Sequence, residues 1–336
     1  MRTRRRLDEP YTLFPDVTPA GECAYAVIDA GTTRTRLRLW AAGQVQLSLE
    51  RQIGAANVAR DGHAGALHGA VSDLLDQARA LGGVQAVLAS GMIGSEIGLL
   101  DVPHVSAPAS YADLTRALLP HDFPDLGRVN FVPGVKTVPT HLAPETLHLA
   151  DLMRGEEVEV IGLRARLGLR GEVQFMHYGS HAKLIRTDDA GILGSVTTLH
   201  GELLSGLSGH SVLKSSVTPL TELTGVDDSW WRRGLEASVQ HGFGRACFMV
   251  RLARQQLRCA PDEAASFLLG AVASLDLPLL SGDAALVLYG RGSQTEPMAR
   301  HLRQMQPGRH ITVASETDSA QAAVIGAVHL YEARHA

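Results

Sequence analysis

The stretch AYAVIDAGTTRTRLRLWA, residues 24–41, decides the fold. Residues 24–28 are apolar and run into Asp29 and Ala30, whereas in residues 35–41 Leu37 and Leu39 alternate with Arg36 and Arg38. A continuous apolar run reads as a buried strand, and strict alternation as a strand with one face covered. Gly31, Thr32 and Thr33 between them make the turn of a β-hairpin. Glycine lets backbone N–H groups approach a ligand closely and the two hydroxyls add donors, so this turn can cradle a phosphate. Asp29, at the strand end, can anchor a magnesium ion that offsets phosphate charge. Arg36 adds a cation three residues past Thr33.

Outward from the hairpin, residues 44–50 supply a third strand. Residues 65–81 carry Leu67, Val71, Leu74, Leu75 and Ala78 at helical spacing. A strand over 86–89, a glycine-punctuated stretch over 90–95 and a helix over 111–119 follow. Pro120, Pro124, Pro133 and Pro139 predict a loop-rich region between 120 and 150. Residues 154–167 read as a helix with Val158, Ile161 and Ala165 on one face and Glu156 and Glu157 in its first turn, where carboxylates suit the helix dipole. The pattern then restarts: strands over 172–178, 182–186 and 191–197, the first two joined by Gly179-Ser180-His181. A helix opened by Pro261-Asp262-Glu263, a strand over 284–289 and a helix over 318–334 complete the pass.

With 336 residues the chain exceeds the size of one ordinary core, and two domains are expected. The expected division is 1–22 as a polar N-terminal tail, 23–170 as the first domain and 171–336 as the second, with helix 318–334 near the interdomain interface. The hydrophobic fraction of 45% and charged fraction of 20% are those of a globular protein without a disorder signature. A net charge of -4 argues against sequence-independent nucleic-acid binding. Cys23, Cys247 and Cys259 have no metal-ligand spacing and are odd in number, which fits a reducing, cytoplasmic compartment. No apolar run reads as a membrane span, and no signal core follows the N-terminal arginines.

Gly179, Ser180 and Lys183, with His181, repeat the ingredients of the first turn about 150 residues later. Two such turns, each following a strand, suit a triphosphate held between two domains. Transfer of a phosphoryl group to an alcohol needs a carboxylate to take the hydroxyl proton. Glu156 and Glu157 both remain open for that role, and a pure helix-capping role is the alternative reading of the pair. The guanidinium of Arg154 suits a substrate carboxylate. Gly290, Gly292 and Ser293, between a strand and a helix, can admit an adenosine against bare backbone.

Taken together, residues 26–40, SGMIGSEIGL (90–99), LMRGEEVEVIGL (152–163), YGSHAKLI (178–185), HGELLSGLSGHSVL (200–213) and DSAQAAVIG (318–326) resemble the 2-dehydro-3-deoxygalactonokinases. The resemblance implies an α/β, two-domain actin-like ATPase (ribonuclease H-like) fold with duplicated β-β-β-α-β-α units. It also implies a kinase that uses ATP and Mg2+ to phosphorylate the 6-hydroxyl of 2-dehydro-3-deoxy-D-galactonate, with Gly91 and Ser95 as substrate-side candidates. No nucleic-acid or membrane partner is expected, and self-association is compatible with it. The GEE segment is also similar to that of the exopolyphosphatases, where a glutamate activates water. A phosphatase of that type, or a non-catalytic sugar-acid-binding member, are the alternatives. The chain departs from the family at Arg34 (asparagine), Ser180 (threonine), Leu184 (tryptophan) and His200 (threonine).

Overall fold

The computed structural model describes residues 24–336, so the expected tail over 1–22 and Cys23 lie outside the described residues. The chain forms two compact units. One comprises residues 24–171 with Thr187–Gly194 and Glu316–Ala336; the other comprises Glu172–Arg186 and Ser195–Ser315. The last helix, expected in the second domain, is therefore part of the first unit.

In the first unit the hairpin opens a sheet: β1 (Ala24–Ala30), β2 (Thr35–Ala41) and β3 (Gln44–Arg51), then α1 (Ala55–Asp61), α2 (Gly65–Arg79) and β4 (Val84–Gly91). Short β5 (Val105–Ser106), β6 (Ala109–Ser110) and α3 (Tyr111–Arg116) lead to β7 (Leu119–Phe123) and β8 (Gly127–Phe131). The sheet order is β3-β2-β1-β4-β8-β7. Strand β1 is antiparallel to β2 and parallel to β4. The region expected to be loop-rich thus holds two strands of this sheet. Its Pro120 is tolerated because β7 is an edge strand, where a missing N–H breaks no central ladder. Helix α3 ends at Arg116, short of the expected 119, and Leu119, the residue held extended by the proline after it, already belongs to β7. Strands β9 (Val135–Thr137) and β10 (Asp151–Met153) then lead into α4 (Glu156–Leu167).

Period-2 alternation sorts this sheet's two faces. Ala26, Ile28, Ala30 and Leu37 pack with Leu67, Val71, Leu74 and Leu75 of α2. Tyr25, Val27 and Asp29 face the other way, toward the last helix α10 (Glu316–His335), whose Tyr331 ring lies 5.8 Å from that of Tyr25. Helix α10 packs on β1 and β4 and against α4. The two helices touch backbone to backbone: a Cβ at Gly162 would overlap the carbonyl oxygen of Ala322, and one at Gly326 that of Val158.

Arg164, fully buried on α4, ties in the segment Thr187–Gly194. Its guanidinium donates to Thr187 Oγ1 at 2.9 Å, Gly171 O at 3.1 Å and Asp189 Oδ1 at 2.8 Å.

Strands β11 (Val173–Tyr178), β12 (Ala182–Thr187) and β13 (Gly191–Thr198), which lie in the second unit apart from the turn segment Thr187–Gly194, repeat the opening pattern. Next come α5 (His200–His210), α6 (Asp228–His241), α7 (Phe243–Leu252) and α8 (Pro261–Ala273). Strand β14 (Ala285–Gly290), α9 (Gly292–Met305) and β15 (Ile311–Val313) complete it. The strands run in the order β15-β14-β11-β12-β13, with β11 parallel to β14 and β14 to β15. The segment Pro261–Leu280 is, among the described residues, long and apolar enough to cross a membrane, which the sequence reading did not expect. It is 72% buried in the fold, as the central helix of a core.

Replacing Gly162 or Gly326 with alanine should force α4 and α10 apart and cost about 1–3 kcal/mol or more. Urea unfolding should show a lower midpoint with an unchanged slope. A wild-type midpoint in both variants would mean that the crossing carries no stability.

Candidate active site

Within the first unit the chemistry gathers at one end of β1 and β4. Asp29 is half-buried on the face that looks toward α10. It pairs in register with Arg36 on β2 and with Ser90 on β4. Gly91, with φ +81, lies so near that a Cβ there would sit 3.1 Å from Asp29 Oδ1. A Cβ at Gly155 would in turn sit 3.3 Å from the Gly91 Cα, so the N-terminus of α4 abuts the same spot. A side chain at Gly91 would fill this corner, and positive φ disfavours one as well.

Burial pushes the Asp29 carboxyl above the usual carboxylate range; Arg38 and Arg36 oppose that shift and Glu156 adds to it. The glutamate pair divides as adjacent helical residues must. Glu157 is fully buried and both its oxygens accept from Gly155 N–H, at 2.9 and 2.7 Å. Burial, with Glu156 next, raises its carboxyl to about 8. Glu156 stays half-exposed and accepts from Arg154 N–H at 3.1 Å.

Arg154 reaches back under the site. Its Nη2 donates to Val102 O at 2.7 Å and to His104 Nδ1 at 3.2 Å. Nη1 is buried and has no hydrogen-bond partner among the described residues. Gly94 leaves it room, since a Cβ there would sit 3.1 Å from Nη1. The arrangement offers a charged donor to an incoming acceptor. Ser95 does not share in this, because its hydroxyl donates to Met92 O at 2.7 Å.

The hairpin tip itself, Thr32 and Thr33, is exposed. Its carbonyls point into the fold: Gly31 O and Thr32 O accept from Ala55 and Ala56 N–H at the start of α1, at 3.1 and 2.8 Å. Gly54 permits this, since a Cβ there would overlap both carbonyls. Arg36 is engaged by Glu50, with Nε donating to Oε2 at 2.7 Å, and Arg34 lies 3.7 Å from the other oxygen.

The second unit carries the same device. Gly201, at the start of α5, lies against the carbonyl oxygens of Gly179 and Ser180, again with no room for a Cβ. His181 shares a 2.8 Å hydrogen bond with Glu202 Oε1, and Lys183 is buried on β12. Gly290, with φ +105, packs on Tyr178, and Arg291 N–H donates to Tyr178 O at 3.0 Å. A cavity of about 300 Å³ opens beside Gly292 and Ser293, walled by Leu223, Gly225, Val226 and Arg300.

The structure therefore gathers Asp29, Gly91, Arg154, Glu156 and Glu157 in the first unit. Gly179, Ser180, Gly290 and the flanking His181 and Lys183 come together in the second. Ser90, His104, Gly54 and Gly201 were not singled out from sequence. Only the two glycines carried a signal, each standing at the start of a helix that follows a third strand. Among the described residues no three His, Cys, Asp or Glu side chains are arranged to hold a metal. Magnesium in phosphoryl transfer needs no such cage, because it takes one or two carboxylates and the substrate's phosphate oxygens. A half-buried Asp29 beside an exposed Gly-Thr-Thr turn fits that donor set.

Comparison with known proteins identifies the family and the fold. The sequence profile of the 2-keto-3-deoxy-galactonokinase family matches residues 29–328. A 2-dehydro-3-deoxygalactonokinase of Escherichia coli (strain K12) is 25% identical over 212 residues, 63% of this chain. A Rhizobium meliloti (strain 1021) protein assigned the same activity is 29% identical over 198 residues, 57% of this chain. The matches span 65% and 59% of those relatives' lengths. Among solved structures, a Sinorhizobium meliloti protein assigned as a 2-dehydro-3-deoxygalactonokinase superposes with a TM-score of 0.73 at 22% identity, covering 92% of this chain and 98% of that one. The activator of 2-hydroxyisocaproyl-CoA dehydratase from Clostridium difficile, solved with bound ADPNP, gives 0.50 at 11% identity, covering 92% and 94%. The fold is that of the two-domain actin-like ATPases, and the chain belongs to the 2-keto-3-deoxy-galactonokinase family.

Proposed function

We propose that the protein transfers the γ-phosphoryl group of ATP to the 6-hydroxyl of a 2-keto-3-deoxy sugar acid, 2-dehydro-3-deoxy-D-galactonate. The observation that carries this reading is the convergence of Asp29, Glu156 and Arg154 around Gly91 and Gly94. It supports reading Asp29 as the metal-anchoring carboxylate, Glu156 as the base and Arg154 as the carboxylate receptor of one site.

The roles follow from burial and charge. Arg154 Nη1 receives the sugar acid's carboxylate, which relieves a buried orphan donor. Glu156 is the base: it is half-exposed, whereas Glu157 is wholly buried, folded onto its own helix start and protonated at neutral pH. The hydroxyl oxygen attacks the γ-phosphorus, its proton passes to Glu156, and the bond from phosphorus to the ADP oxygen breaks. In the first unit Thr32 and Thr33 offer N–H groups and hydroxyls to phosphate oxygens, and in the second unit Ser180 offers donors of the same kind. The cavity beside Gly292 and Ser293 is of the size that takes an adenine ring system. Magnesium, held by Asp29, supplies charge neutralisation at the phosphate oxygens when bound.

A coupled ADP-release assay over a panel of 2-keto-3-deoxy acids, with and without magnesium, tests the reading. No release with any acid would overturn it.

Asp29→Asn should abolish turnover while leaving the thermal midpoint unchanged or raised, since the carboxyl it removes is disfavoured by burial. Turnover near wild type at saturating magnesium-ATP would place the metal elsewhere.

Glu156→Gln should lower kcat by about 10²–10⁴-fold, and Glu157→Gln should leave it largely intact. The second variant should instead change stability with pH. Glu157 takes up a proton on folding between its ordinary 4.5 and about 8. Its contribution is therefore complete below the lower value and is lost as pH rises through the upper one, by up to about 1.4 kcal/mol per pH unit. Denaturant titrations from pH 5 to 8 should show that fall in wild type and a flatter profile in Glu157→Gln. Parallel profiles would assign the carboxyl an ordinary proton affinity.

Arg154→Met should raise KM for the sugar acid by about 10- to 100-fold, the weight of a charged hydrogen bond, with a smaller effect on kcat. An unchanged KM would move the carboxylate site.

A further inference from the structure

We infer that His200, anchored by Asp276, is a positioning residue for the hairpin Gly179–Ser180. The inference rests on reading that hairpin as a phosphate-binding turn. Asp276 is fully buried, and its two oxygens hold two different residues. One lies 2.6 Å from His200 Nδ1, and the other accepts from Thr198 Oγ1 at 3.0 Å. Thr198 ends β13 and His200 begins α5, so one carboxylate pins both sides of the strand-to-helix turn.

That turn delivers Gly201 against the carbonyl oxygens of Gly179 and Ser180. His200 grips the hairpin's other approach as well. Its ring stands edge-to-face on Tyr178, at 5.0 Å between centroids, and Tyr178 is the last residue of β11 before the hairpin. The hairpin is thus braced from behind, through its carbonyls and its entry strand, and Gly179 N–H is spent on His181 O at 3.1 Å, so Ser180 carries the donors that the turn offers a ligand. Small displacements of such donors weaken phosphate binding steeply.

Plain packing does not account for this residue. His200 is 2% exposed, and its Nε2 and the Tyr178 hydroxyl are both buried without a partner among the described residues. An apolar side chain would fill the space without those costs. What it could not supply is the donor that the Asp276 carboxylate requires, since a buried carboxylate that loses a partner is strongly unfavourable.

The test compares His200→Asn, His200→Gln and His200→Phe with wild type. The Asn amide can place a donor where Nδ1 stands, whereas Gln reaches the Nε2 position and Phe offers no donor. His200→Phe and His200→Gln should raise KM for ATP by about 10-fold, leave KM for the sugar acid within twofold, and speed amide hydrogen exchange over residues 178–183. His200→Asn should restore all three readouts to within about threefold of wild type. If His200→Phe does not fold, the Asn and Gln pair carries the comparison. A KM for ATP within twofold of wild type in His200→Gln, or equal defects in Asn and Gln, would overturn the inference. Hydrogen exchange and binding of a non-hydrolysable ATP analogue read the bracing even if no sugar acid is turned over, so loss of the kinase reading and loss of this one are distinguishable.

Discussion

The contact on which the first unit depends is the backbone crossing of α4 and α10 at Gly162 and Gly326. Helices whose side chains must interdigitate sit 8–10 Å apart, and removing Cβ atoms at the contact brings them closer. Helix α10 rests on β1 and β4, so this approach also brings α4 down toward the same strands. The N-terminus of α4 then meets Gly91 at the end of β4. Asp29 and Glu156, 127 residues apart in sequence, become neighbours because two glycines lack side chains in the middle of helices.

A second constraint appears once in each unit. A strand runs into a Gly-plus-hydroxyl turn, a hairpin returns, and a third strand leads to a helix whose first glycine presses on the turn's carbonyls. Gly54 does this for Gly31 and Thr32, and Gly201 for Gly179 and Ser180. Binding an anion through backbone N–H groups requires the carbonyls to be satisfied elsewhere. In the first unit the start of α1 satisfies them. The repetition of this detail is firmer support for internal duplication than the strand order, because hairpins are common and this packing is specific.

The electrostatics of the first unit are built from crowding. Asp29, Glu156 and Glu157 share a small volume, with Arg36 and Arg38 along β2 opposing the burial of Asp29. One carboxyl of the glutamate pair stays protonated inside the fold and shapes the helix start, and the other remains open to solvent. Neighbours in sequence thereby acquire different chemistry.

Much of the fold was legible in residues 24–41, whose continuous apolar run and following alternation set the two strands and the turn between them before any tertiary contact. The RGEE segment likewise announced a helix start rich in carboxylates, and the two Gly-plus-hydroxyl stretches were legible as hairpin turns. Other features were not legible for physical reasons. Strands β7 and β8 were hidden by the prolines around them, of which only Pro120 lies within a strand, at an edge position that tolerates it. The assignment of α10 to the first unit depends on glycine contacts across 160 and 168 residues of chain, Gly162 with Ala322 and Gly326 with Val158. The division of labour within Glu156 and Glu157 depends on burial, which periodicity assigns to a helix face but not to a depth. The orphan Nη1 of Arg154 and the Asp276 anchor of His200 arise where distant segments meet. Sequence by itself determined which residues could do phosphate and proton chemistry, because residue type and turn geometry are local. Tertiary structure alone decided which carboxyl keeps its proton and which donors are left without partners, because desolvation and hydrogen-bond satisfaction are properties of the packed whole.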